Sequence, residues 1–334
     1  MKVDIIGGSL SGLSAAISLK TLDPNIDVIV HEKHKKIGYN YEGRRCGEGH
    51  TVESLWKKWK PKGKSIFTEI KTVETILGDK TYIAKPAPGT FYILNRQEFI
   101  SQLGKQAEQL GVIIHTSDKI KSVSAVDGEF IIDASGCPST IKKELGIDKG
   151  LRGVTYQQTL ENSNYTTFDV LKVFFTHAIG YYWIFPRNPL KNEINVGVGV
   201  FSTCSLRLKD MLEAFKGEQG VEGTLNYVVG GFVPAGLQKP LRYKNIFFVG
   251  DAGVGAFPVL GKGIYRALLS GEMAAKCIAT GHPEQYRKEV NRAFLKWDLI
   301  GKTYIRVDQV LSKVGEKAVR SMYKRYLDFW YSFH

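Results

Sequence analysis

Short apolar runs broken by turns dominate the first 150 residues. VDII (Val3 to Ile6) runs into Gly7-Gly8, and small and apolar residues then follow at helical spacing, which predicts strand, glycine turn and helix in succession. DVIVHE (Asp27 to Glu32) is a second strand that closes on an acid. Similar strands recur at VIIHT, EFIIDASG and NIFFVGD, each ending in a turn. Residues 150–240 instead alternate Tyr, Thr, Val and Phe between turns, the pattern of an antiparallel sheet. After Asp251 the chain reads as helical to its end. No internal repeat or low-complexity stretch is present. The expected architecture is an α/β domain gathered from residues 1–55, 92–150 and 241–282, a β-rich domain over 56–91 and 151–240, and a helical segment over 283–334.

Composition narrows the class. The 334 residues are 43% hydrophobic and 24% charged, which excludes a disordered or collagen-like chain and suits one large or two interleaved domains. No apolar run reaches the ~18 residues of a spanning helix. Asp4 and Gly7-Gly8 interrupt any signal-peptide pattern, so a cytoplasmic address is expected. The four cysteines form no CxxC pair and the seven histidines no ligand spacing, so neither a metal site nor a disulfide framework is indicated. The net charge of +13 is local: residues 31–64 hold ten Lys/Arg against four Glu, and residues 282–334 hold eleven against six acids.

The candidate chemistry begins at Gly7-x-Ser9-x-x-Gly12, between strand and helix, with Glu32 twenty residues beyond Gly12. A tight turn there lets backbone N–H groups of Ser9, Ser11 and Gly12 and the helix N-terminus meet a pyrophosphate, while the strand-end acid accepts hydrogen bonds from a ribose. Far downstream, NIFFVGDAGVGAFPVLGKGIYRALLSG gives a strand, Asp251, and a Gly261-x-Gly263 turn opening a helix at Ile264. With EFIIDASGCPS between them (Asp133, Gly136, Ser139), these motifs resemble the FAD-binding oxidoreductases of the glutathione reductase and p-hydroxybenzoate hydroxylase-like fold. That resemblance implies a Rossmann-type FAD-binding α/β domain with an antiparallel β-sheet substrate domain and C-terminal helices. It implies that Asp251 holds the ribityl side, that Gly261, Gly263 and Ile264 lie against the flavin, and that Gly136 and Arg96, before a helix, approach the FAD.

Two further segments, RRCGEGH (Arg44 to His50) and GYYWIFPR (Gly180 to Arg187), with NVGVGV and GGFVPAG, resemble the geranylgeranyl reductase family. The resemblance covers nearly the whole chain. It implies saturation of isoprenoid double bonds on prenyl diphosphates or geranylgeranyl ether lipids. It sets the loop of Arg45, Cys46, Gly47 and Gly49 beside the flavin. Cys46, flanked by arginines that would lower its thiol pKa, is a candidate proton donor or reactive thiolate, with a structural role equally open. Arg44 and Arg45 suit either a substrate diphosphate or the cofactor pyrophosphate. Tyr181, Trp183 and Phe185 alternate onto one strand face, which suits a prenyl slot and a packed core equally. Family members are somewhat longer, so a trimmed insertion or tail is expected here.

The tail spaces Phe294, Trp297, Tyr304, Val307, Leu311 and Val314 as one helical face and ends in the aromatic, basic SMYKRYLDFWYSFH. Such a helix can sit at a membrane surface, cap the substrate or meet a second subunit. The electron donor is NADPH or a ferredoxin, since no second dinucleotide fingerprint follows. The competing readings are a flavin-dependent monooxygenase or halogenase on the same fold, and a tRNA-binding flavoprotein using the +13 charge, although no nucleic-acid module is present.

Overall fold

The computed structural model describes residues 1–39, 47–52, 58–175, 180–201 and 207–331. Cys46 and Arg45 lie outside them. Two compact units share the chain: Met1–Arg44, Arg96–Arg152 and Val233–Lys302 form one; Arg45–Asn95, Gly153–Phe232 and Thr303–His334 form the other. These divisions differ from the boundaries expected near 55, 91, 240 and 282. Residues 49–51 pair with residues 91–93 of the second unit, and Asp298 and Lys302 bond Leu237 of the first.

With elements numbered in chain order, the first unit holds a six-stranded sheet of β1 (Lys2–Ile6), β2 (Asp27–Glu32), β8 (Ile113–Thr116), β9 (Phe130–Asp133), β15 (Arg242–Tyr243) and β16 (Ile246–Phe248). Their order is β15-β16-β9-β1-β2-β8, parallel except for β15. Strand order therefore reverses at β1, and ligands of such sheets bind at the strand C-termini beside that reversal. Helix α1 (Leu10–Leu22) follows β1 at this point, and every residue from Leu10 to Leu19 is buried. Its small residues allow α5 (Ile264–Ala279) to approach closely. A Cβ added at Gly271 of α5 would lie 2.2 Å from the Ser11 carbonyl oxygen, and Ser14 Oγ donates to Leu268 O at 2.8 Å. The unit also contains α2 (Arg96–Gln109) and α3 (Thr140–Glu144).

The second unit contains a three-stranded sheet of β3 (Gly49–Thr51), β7 (Phe91–Leu94) and β4 (Ile66–Glu69). Its larger sheet has seven strands in the order β14 (Thr224–Pro234), β10 (Arg152–Glu161), β13 (Glu193–Val200), β12 (Gly180–Asn188), β11 (Val170–Phe175), β5 (Thr72–Leu77) and β6 (Lys80–Ala84). β10/β13, β13/β12, β12/β11 and β5/β6 pair antiparallel, and β11 joins β5 in parallel. Alternation sorts its faces. One face is aliphatic, with Leu160, Ile184, Ile194, Val196 and Val198 buried under Leu212 and Phe215 of α4 (Leu208–Glu218). Tyr182 stacks on Phe215 with ring centroids 4.3 Å apart.

The tail corrects the helical face expected of it. Helix α6 (Tyr286–Leu311) ends before Val314, and Trp297, Val307 and Val314 are exposed. Its buried side is Val290, Phe294, Asp298, Ile305 and Asp308, two of them acids, so hydrophobic spacing alone could not reveal it. Helix α7 (Glu316–Tyr331) buries Tyr323, Tyr326 and Leu327. It docks on the β5–β6 edge of its own unit. Tyr331 OH bonds Thr75 Oγ1 at 2.7 Å, Asp328 accepts from Tyr82 OH and Lys80 at 2.8 Å each, and Tyr323 packs on Phe175 at 4.8 Å. No described helix is long and apolar enough to cross a membrane.

Candidate functional site

In the first unit, the turn after β1 is built by exclusion. Gly7 has φ +110°, and a Cβ there would meet Ala134 O at 2.5 Å. A Cβ on Gly12 would sit 1.9 Å from Gly7 O, so strand and helix meet only because neither residue has a side chain. Ser9 is the N-cap of α1 but its hydroxyl makes no capping bond, which leaves the positive end of the helix to an anion. Glu32, at the end of β2, accepts from the Gly8 N–H at 2.8 Å and the His34 N–H at 2.9 Å. Ser11 is buried under Gly250, where a Cβ would lie 2.4 Å from Ser11 Oγ. The N-terminal fingerprint and the Asp251 turn are thus in direct contact.

Further motif residues gather in this unit. The Asp133 carboxylate accepts from the Ser135 N–H at 2.9 Å and from the Ser139 hydroxyl, and Ser139 caps α3, so Asp133 closes its own turn. Gly136 has φ +94°, and an added Cβ would meet nothing within 4 Å. Burial pushes the Asp251 carboxyl above its usual range, with Arg96 and then Arg266 pulling it back, yet the residue keeps an exposed surface. Gly261 (φ +65°) and Gly263, the N-cap of α5, bring the chain from Asp251 to Ile264. The turn, the uncapped helix end, the strand-end acid and the exposed Asp251 fit a dinucleotide cofactor.

In the second unit, the other face of the seven-stranded sheet is aromatic and polar. Trp183 lies opposite Gly197, and Gln157 flanks Gly197 on its other side. A Cβ on Gly197 would be 2.1 Å from the indole, so the glycine leaves the space in which the ring lies flat. Trp183 Nε1 donates to Gln157 Oε1 at 3.1 Å, and Thr159 Oγ1 donates to Asn195 Oδ1 at 2.7 Å, all four residues being buried. Aromatic contacts continue in both directions, from Trp183 to Tyr181 at 5.7 Å and to Phe185 at 6.3 Å, and from Tyr181 to Phe175 at 5.8 Å. Burial pushes the Tyr181 phenol up to about 12, while the residue keeps part of its surface. Phe185 is shared, since it also packs on the cluster of Ile70, Phe91, Ile93 and Leu171.

The described end of the RRCGEGH segment meets this face. A Cβ on Gly47 would be 2.7 Å from the Phe185 ring, and one on Gly49 would be 3.2 Å from Phe91. Glu48, in left-handed conformation (φ +61°), accepts from Arg187 Nε at 2.6 Å, and Arg187 also donates to Glu193. All three are buried. Burial alone would lower the Arg187 pKa, but the two carboxylates more than offset it and raise it. Sequence reasoning noted Glu48 and Arg187 only as members of their segments. It missed their pairing, along with Gln157, Asn195 and Arg266. A lone arginine in the small-residue start of α5 was the available signal for the last.

Comparison with known proteins agrees with these motifs. A model of the geranylgeranyl reductase catalytic domain matches residues 152–233. The digeranylgeranylglycerophospholipid reductase of Methanocella arvoryzae is 26% identical over 94% of this chain and 86% of its own length. That of Methanosarcina acetivorans is 26% identical over 81% and 75%. A geranylgeranyl bacteriochlorophyll reductase-like protein from Thermoplasma acidophilum superposes with TM-score 0.79 at 20% identity, covering 95% of this chain and 91% of that one. The flavin-dependent halogenase CmlS superposes at 0.68 with 19% identity, over 89% and 62%. The fold is therefore the one shared by these two proteins.

Proposed function

We propose that the chain is a member of the geranylgeranyl reductase family, an FAD-dependent reductase that saturates carbon–carbon double bonds of geranylgeranyl chains, a reading supported by its similarity to the catalytic-domain model and to the curated reductases. The chains are carried on a prenyl diphosphate or on a glycerol ether lipid. One observation carries the reading: the sheet face bearing Tyr181, Trp183 and Phe185 is lined with Gln157, Thr159 and Asn195, whereas the aliphatic core lies on the opposite face.

In the first unit, the α1 N-terminus and Ser9 receive the pyrophosphate, Glu32 the adenosine ribose, and Asp251 and Arg96 the ribityl side. FAD bound there would, when reduced, supply the hydride for one alkene carbon. The second unit holds the prenyl chain. Its aromatic rings exclude water and stabilise positive charge developing on the alkene. With its pKa near 12, Tyr181 stays neutral at physiological pH, so the wall carries no competing charge. The Glu48–Arg187–Glu193 cluster fixes the Gly47–Gly49 segment against Phe185. Cys46 remains the candidate proton donor to the second alkene carbon. Electrons come from NADPH or a ferredoxin, which reduction assays with each donor distinguish.

A lipid substrate also calls for a lipid surface. The exposed side of α6 and the turn after it offer Val307, Val310 and Val314 flanked by Arg306, Lys313 and Lys317. That combination suits an anionic bilayer better than the terminal aromatics do, since Tyr323 and Tyr326 are buried. Salt-sensitive sedimentation with phosphatidylglycerol vesicles, lost in Val310→Glu, is the expected result. Turnover itself is tested by product mass: each reduced double bond adds two hydrogens. Oxygen-dependent turnover of an aromatic substrate instead would favour the monooxygenase or halogenase reading.

A further inference from the structure

Arg266 stands where elementary electrostatics would not put it. It occupies the first turn of α5, at the positive end of the helix dipole, and is only 1% exposed. A guanidinium so placed is tolerated only if its donors are met. They are met by three partners. Nε donates to Gly255 O at 2.9 Å, Nη2 to Val254 O at 2.7 Å, and Nη1 and Nη2 grip the two Asp298 oxygens at 2.9 Å each. The guanidinium also lies 4.3 Å from the centre of the Phe294 ring.

Asp298, 2% exposed, comes from α6 and accepts as well from the Leu237 N–H at 2.6 Å. One turn on, Lys302 Nζ donates to Leu237 O at 2.9 Å. The segment from Pro234 to Gln238 in turn runs beside the Asp251 turn: Ala256 N–H donates to Pro234 O at 2.8 Å and Gln238 N–H to Gly253 O at 2.7 Å. Four stretches of the first unit are therefore tied at one ion pair, and the two carbonyls it holds follow Asp251 by three and four residues. Gly255, at φ +58°, is where that loop reverses.

We propose that Arg266 and Asp298 are positioning residues for the FAD-binding loop, holding the Val254 and Gly255 carbonyls so that the turn from Asp251 to Gly263 keeps its cofactor-receiving shape. The inference rests on the FAD reading above. Apolar side chains of similar volume could fill the space and keep the fold, but they could not orient two carbonyls. That difference is the test.

FAD affinity and the melting temperature of the FAD-free protein are measured for the wild type, for the double variant Arg266→Met/Asp298→Leu, and for Arg266→Lys. The double variant is expected to melt no lower than the wild type while binding FAD about tenfold or more weakly, the equivalent of one lost hydrogen bond. Arg266→Lys, which keeps the charge but not the planar fork, is expected to lose affinity too. A double variant that binds FAD as tightly as the wild type overturns the inference. Should the double variant not fold, Asp298→Asn serves, checked for native helicity without FAD: weakened binding supports the inference and unchanged binding overturns it. A wild type that binds no FAD is a separate result and overturns the FAD reading itself.

Discussion

The first unit makes its site from backbone, and the second makes its site from side chains. Around Gly7, Gly12 and Gly250 the chain is shaped by what is missing, since any Cβ would collide within 2.5 Å. Around Trp183 and Arg187 it is shaped by contacts between residues far apart in sequence, such as Arg187 and Glu48. A backbone site tolerates no added atoms but needs few particular side chains. A side-chain site depends on strand register, because a one-residue slip would turn Trp183 onto the aliphatic face. The first arrangement suits a cofactor of fixed shape, the second a flexible apolar chain.

Substitutions should separate the two arrangements. The largest effect is expected from Gly12→Val, which forces atoms into the Gly7 carbonyl: flavin absorbance should disappear, with a stability loss of about 1–3 kcal/mol or more. Retained flavin would mean that the turn is not the cofactor cradle. Next comes Arg187→Met, which leaves Glu48 and Glu193 as uncompensated buried carboxylates. Chemical denaturation should show a loss of about 3–5 kcal/mol, and turnover should fall while the first unit still binds FAD.

Trp183→Ala should cost about 3–5 kcal/mol and abolish turnover with FAD retained; loss of FAD along with turnover would break the division of labour between the units. The smallest effect on function is one of pH. Burial pulls the His50 pKa down to about 4, with a backbone contact to Trp59 acting against it. The unfolded ring takes its proton near 6.5 and the folded ring resists, so stability is full above about pH 6.5 and drains by about 3 kcal/mol as pH falls toward 4. In His50→Gln the denaturation midpoint should depend less on pH across that window.

The glycine turn, Glu32 and the Asp251 segment were legible because each is a local backbone requirement written in consecutive residues. The strand alternation of Tyr181, Trp183 and Phe185 was legible too, but not its surroundings, since Gly197 and Gln157 are aligned with Trp183 only by pairing across three strands. The Arg266–Asp298 and Arg187–Glu48 pairs were invisible for the same reason, being made between distant segments. The tail was legible as an aromatic, basic helix but not in which side it buries. Tyr323 and Tyr326 are in fact buried, and the polar Asp298 and Asp308 stand on the buried side of α6.

The most direct measurement is anaerobic. FAD-loaded protein, reduced with dithionite, is mixed with geranylgeranyl diphosphate or a geranylgeranylated glycerol phosphate, and flavin reoxidation is followed together with product mass. Reoxidation that keeps pace with a gain of two hydrogens per double bond is the expected result. A flavin that stays reduced, with every prenyl lipid unchanged in mass, would contradict it.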